Sequence, residues 1–134
     1  MRVRIGKKLI VTAALLAAVA LGAPAAAWAG TSFAGYSVTI GAGGGNGYTG
    51  AQTKANGSAS GNVNVTSVGN GSTVGASMMK NNGSSEGEKR YELGAGYSAT
   101  LPNSISGGSS VKMKMWGSPF WFVAVQANGT WRSN

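Results

Sequence analysis

The sequence predicts an all-β fold, a small antiparallel β-sandwich of about six to seven strands, over residues 30–134. Three observations predict it. Apolar residues recur at every second position, the spacing that lays one face of a strand on a core. Asn-Gly occurs five times, at Asn46, Asn56, Asn70, Asn82 and Asn128. That pair suits the type I′ hairpin turn, which needs positive φ at both central residues. No segment after residue 29 keeps a helical period, because Gly, Ser, Asn and Thr interrupt each apolar run.

The elements follow in order. Tyr36, Val38 and Ile40 alternate with Ser37 and Thr39. Gly41 to Gly47 reads as a long mobile loop; no helix follows it, so it is not a phosphate loop. A strand of weaker apolar content spans Thr49 to Lys54. Val63 and Val65 alternate with Asn62, Asn64 and Thr66, and Gly69-Asn70-Gly71-Ser72 turns the chain into Val74, Ala76 and Met78. Tyr91 and Leu93 continue, after a glycine break, with Tyr97, Ala99 and Leu101. Val111, Met113 and Met115 alternate with Lys112 and Lys114. Trp121, Val123, Val125 and Ala127 alternate with Phe122, Ala124 and Gln126, a strand apolar on both faces. Such a strand is expected to be buried on both sides, so Val123→Asp is expected to unfold the chain.

Residues 1–29 read as a Sec-type signal peptide. Arg2, Arg4, Lys7 and Lys8 form the basic region, Leu9 to Leu21 the apolar run, and Ala27-Trp28-Ala29 the small-x-small cleavage site. The apolar run is too short for a membrane span, which needs about 20 residues. The expected product begins at Gly30 as a single secreted, extracellular domain with no membrane span. It keeps 105 of the 134 residues and 21 of the 23 glycines. A chain this small often leans on disulfides when exported, but there is no Cys. Its stability must come from a core, from backbone hydrogen bonds or from oligomerisation, which stays open.

Composition narrows the chemistry. The chain has no His, Asp or Cys, the residues that most often carry acid–base, metal and thiol work. After residue 29, seven cations face three acids, a net charge of +4. The cations form no run or stripe, so nucleic acid is not an expected partner; a weak preference for anionic surfaces is. Glu86, Glu88 and Glu92 are clustered beside Lys89 and Arg90. A glycosidase pair needs its carboxylates about 5–9.5 Å apart across a cleft. A solvated, charge-balanced hairpin rim is the preferred reading. Calcium wants more oxygen ligands than this segment offers, so no metal, cofactor or catalytic residue is expected. Ser77 and Lys80 match a Ser-x-x-Lys spacing, but residues three apart on a strand point to opposite faces. The Asn-x-Ser/Thr sequons at Asn56, Asn64, Asn70, Asn82 and Asn128 mostly coincide with the Asn-Gly pairs and are read as turns.

The C-terminal third is aromatic, with Trp116, Phe120, Trp121, Phe122 and Trp131. Core packing is the favoured reading, because a small domain needs its large side chains inside; an exposed platform is the other. Trp116 is the exception. It shares its strand face with Lys112 and Lys114, so if Met113 points in, Trp116 points out. Lys112, Lys114 and Trp116 are therefore the candidate contact patch.

With the strands laid out, the chain resembles small secreted, cysteine-free proteins of Gram-positive bacteria, uncharacterised in activity. The resemblance rests on Val63-Asn64-Val65-Thr66-Ser67-Val68, Gly108-Ser109-Ser110-Val111 and Gly129-Thr130-Trp131. It implies a β-sandwich and no assigned activity. More remotely, the leader and the glycine-rich, cysteine-free body are similar to the lactococcin-972-like bacteriocins. The His- and Tyr-rich central motif of that family is absent here, and no site residue carries over. The expected function is non-catalytic binding at a cell envelope or extracellular target, with a cationic bacteriocin-like antagonist as one version and a cell-wall or anionic surface component as partner. The alternative is a structural matrix protein that assembles through strand edges. An enzyme ranks last.

Overall fold

The structure, a computed structural model, describes residues 30–134; the leader read over residues 1–29 lies outside the described residues. Nine strands follow one another: β1 (Ala34–Ile40), β2 (Asn46–Tyr48), β3 (Gln52–Thr53), β4 (Gly61–Val68), β5 (Val74–Lys80), β6 (Arg90–Leu93), β7 (Ser98–Leu101), β8 (Ser110–Trp116) and β9 (Val125–Arg132). The first sheet has the order β1-β9-β4-β7; the second has β2-β8-β5-β6, with β3 also paired to β8. All pairs are antiparallel, and the two sheets pack face to face as a β-sandwich.

Period-two alternation explains the core. Val38 and Ile40 of β1, Val63 and Val65 of β4, and Met113 and Met115 of β8 point between the sheets. Ile105, from the β7–β8 connection, fills the same core. Trp131 is 1% exposed and contributes the largest buried side chain. A Trp of this kind removes about 150–250 Å² from water, which matters in a domain without disulfides.

Three Asn-Gly pairs mark turns and two do not. At Asn70-Gly71 both φ angles are positive, 58° and 61°, and Ser72 N donates to Gly69 O at 3.2 Å. Asn128-Gly129 instead lies inside β9, opposite Ser37 and Tyr36. A Cβ on Gly129 would sit 1.9 Å from Asn64 O and 2.8 Å from Tyr36 Oη, so here glycine permits close approach. Asn46-Gly47 lies in β2, where a Cβ on Gly47 would meet Val38 Cγ1 at 2.3 Å.

Other expectations need correction. The last strand begins at Val125, not Trp121, because the β1–β9 ladder ends at Ile40 opposite Val125. Val123 is loop and 54% exposed, so the double-sided burial expected for it does not occur. The glycine loop shortens to Gly41–Gly45 and is tethered: Gly43 N donates to Trp121 O at 3.0 Å and Gly44 N to Ser118 O at 3.1 Å. Only Gln52 and Thr53 of the segment Thr49–Lys54 form a strand. Before them, the Thr49 hydroxyl accepts from Met113 N at 2.9 Å, in place of a backbone carbonyl. The run Tyr91–Leu101 splits between sheets, β6 in the second and β7 in the first, with Gly96 at φ 85° in the crossing.

Lys54 is wholly buried. Its Nζ donates to the main-chain oxygen of Ala59 and, at 3.1 Å each, to those of Ser133 and Asn134.

Candidate functional site

Strand β8 builds the site. Val111, Met113 and Met115 are buried in the core, so Lys112, Lys114 and Trp116 fall on the outer face of the second sheet. That placement matches the sequence expectation, although the three side chains are half-buried rather than freely exposed. Their neighbours explain why. The register sets Gly75 beside Trp116, Ser77 beside Lys114 and Met79 beside Lys112 on β5. On the other side, Tyr48 of β2 pairs with Lys114.

The indole of Trp116 lies on bare backbone. A Cβ at Gly75 would come within 2.2 Å of its ring, so glycine is what lets the ring lie flat across β5. Tyr91 of β6 meets Trp116 edge-on, with ring centroids 5.7 Å apart and planes at 72°. Lys112 Nζ stands 4.4 Å from the Tyr48 ring centroid. Lys89 and Lys114 stand 5.7 Å and 5.8 Å from the Trp116 centroid. Those two lie near the outer limit of about 6 Å for cation–π attraction, so Lys112–Tyr48 is the tighter pair. A groove of about 470 Å³ opens beside Trp116, between Tyr91, Glu92, Thr73 and Ser118.

Of the three carboxylates, Glu86 and Glu88 are paired with cations. Glu86 Oε2 accepts from Ser77 Oγ at 2.7 Å, and its Oε1 lies 3.7 Å from Lys114 Nζ. Glu88 pairs with Arg90 at 3.3 Å. Glu92 sits where the β5–β6 register shifts, with φ at 59°. Among the described residues no group of three or more His, Cys, Asp or Glu gathers as a metal cage. Ser77 faces outward with Lys114, whereas Lys80 pairs with Val111, one position out of phase.

The outer face of the first sheet is different. Asn64 Nδ2 donates to Thr130 Oγ1 at 3.0 Å, Ser98 Oγ donates to Asn64 Oδ1 at 2.7 Å, and Arg132 Nε donates to Asn62 Oδ1 at 3.0 Å. These polar groups satisfy one another. The cation–ring pair beside them is Arg132 over Phe33, 4.6 Å from the ring centroid, while Lys89, Lys112 and Lys114 gather on the second sheet.

The C-terminal aromatics divide between core and surface. Trp131 is core, and Trp121 is half-buried against it. Phe120 and Phe122 are 82% and 97% exposed, against the expectation that large side chains would be inside.

Tyr48, Lys89 and Tyr91 belong to the face but were missed in the sequence. Tyr48 falls between the expected loop, Gly41 to Gly47, and the expected strand from Thr49, and Lys89 stands beside the carboxylate cluster. No local signal shows that either would reach β8. The arrangement pairs ammonium groups with ring faces, a combination that can hold an anionic group and an adjoining apolar or sugar surface together. No family model, curated protein or solved structure matches the chain.

Proposed function

We propose that the protein is a non-catalytic binding protein that acts at the anionic surface of a cell envelope. The observation that carries this reading is the convergence of Lys89, Lys112 and Lys114 with Tyr48, Tyr91 and Trp116 on one sheet face. A core role does not need lysines there, and among the described residues no third layer covers them. The engaged carboxylates Glu86 and Glu88 fit a binding role better than a two-carboxylate hydrolase. A cationic antagonist of other bacteria is the particular version consistent with the secretory leader.

The test is retention on purified cell envelopes. Lys112→Gln with Lys114→Gln removes two charges without setting a new carboxylate beside Glu86. Retention of the parent should fall as salt rises, since exposed charges are screened over about 10 Å at 0.1 M ionic strength. The double variant should bind at least about tenfold more weakly at low salt, a loss of about 1.4 kcal/mol. Equal retention of parent and variant at low salt would sink this reading.

A further inference from the structure

The β8–β9 connection, Gly117 to Ala124, projects from one end of the sandwich. Its tip is apolar, with Phe120 82%, Phe122 97% and Val123 54% exposed. The loop is held in place rather than left loose. Trp121 points inward against the core, and a Cβ on Gly117 would meet its ring at 2.1 Å. Trp121 N donates to Ser118 O at 3.2 Å, Phe120 N to Ser118 Oγ at 3.1 Å, and the glycine loop clamps both Ser118 and Trp121 through its backbone amides. Anchoring Trp121 forces its neighbours Phe120 and Phe122 outward.

The surroundings have a definite polarity. Four connections meet at this end: residues 41–45, 69–72, 94–97 and 117–124, and none holds a charged residue. Behind the tip comes Trp116 with Tyr91, then Lys114 and Lys112 along β8. At about 3.3 Å per residue, Lys114 lies about 7 Å and Lys112 about 13 Å behind Trp116. Two carboxylates stand against the three lysines of the face: Glu92 lines the groove beside Trp116, and Glu86 lies 3.7 Å from Lys114. Apolar tip, aromatic ring, then ammonium groups is the order of a bilayer leaflet, from acyl chains through the interface to the phosphates. The headgroup layer is about 5–8 Å deep on each side, which matches the spacing of Trp116 and Lys114. A protein partner would need about 800 Å² of complementary surface, more than a narrow two-phenylalanine tip supplies; a bilayer needs no matching shape.

We infer that this end of the sandwich docks on an anionic lipid bilayer, with Phe120 and Phe122 entering the acyl boundary and Lys114 and Lys112 meeting lipid phosphates. This rests on the envelope-binding reading and names lipid as its partner. It needs no spanning segment, and among the described residues no helix is long and apolar enough to cross a membrane.

The chain from Gly30 onward holds every described strand and lacks the apolar leader run, which would itself bind lipid. That chain is mixed with phosphatidylglycerol–phosphatidylcholine vesicles, with phosphatidylcholine vesicles and with lipid-extracted cell walls, then sedimented. Binding to the anionic vesicles is expected, with at least about tenfold loss for each of Phe120→Ser and Phe122→Ser. Retention on extracted walls should not change in those variants. If Phe120→Ser misfolds, Phe122→Ser alone decides, since that side chain is 97% exposed. Retention on walls without vesicle binding would overturn the lipid inference and leave the envelope reading standing; binding to neither would remove both. Vesicle binding unmoved by the serines, or a dimer on a sizing column that they dissociate, would also overturn it, the latter by naming a second copy as occupant.

Discussion

Lys54 carries an ammonium group into the interior, where three main-chain oxygens replace its water. Lys54→Met keeps the stem but strands those acceptors, at a cost of about 2–3 kcal/mol, readable in urea unfolding. Burial also lowers the pKa of Lys54 from its ordinary value of 10.5. The unfolded chain therefore holds this proton more tightly, and stability from Lys54 rises with pH until the ordinary lysine value is passed. Tyr36 acts in the opposite sense. Burial pushes its phenol from 10.0 up to about 12, and its hydroxyl donates to Asn64 O at 3.1 Å. The folded state keeps a proton that the unfolded chain loses, so this contribution is complete below pH 10 and is lost as pH rises to about 12. Unfolding followed across that window should show a decline that Tyr36→Phe flattens; an unchanged decline in the variant would place its origin elsewhere.

Among elements, β8 and the loop after it carry the account. The outer patch was legible because Lys112, Lys114 and Trp116 strictly alternate with apolar residues, and one buried methionine fixes the phase of the rest. Strand β9 was legible only at Val125 to Ala127. Its inward positions include Gly129, its Asn-Gly imitates a turn, and Trp121 to Ala124 alternate without any partner strand beside them. Tyr48, Lys89 and Tyr91 were hidden for another reason: only non-local strand pairing brings Tyr48 to Lys112 and Lys114, and Lys89 and Tyr91 to Trp116. Two variants test this level. Val123→Asp should leave the fold intact, shifting stability by no more than about 0.5 kcal/mol, because the side chain is exposed. Gly75→Ala should displace the Trp116 indole, changing the near-ultraviolet dichroism and weakening envelope retention. Collapse of the first variant, or an unperturbed indole in the second, would refute the packing described here.

At the scale of the whole molecule, the sandwich separates its surfaces by chemistry. One sheet shows a hydrogen-bonded layer of Asn, Ser and Thr with Arg132 at its margin, the other lysines and rings, and one end an uncharged apolar tip. The fold class was readable from sequence because each sheet has a polar and an apolar side. The functional polarity was not, because it depends on which strand ends meet. The most direct measurement is lysine footprinting: acetylation of the folded protein, free and bound to envelopes, read by mass spectrometry. Lys89, Lys112 and Lys114 should lose reactivity on binding, while Lys80, out of phase with that face on β5, should keep its own. Uniform protection of all lysines, or protection of Lys80 with the three unchanged, would contradict the claim that this face makes the contact.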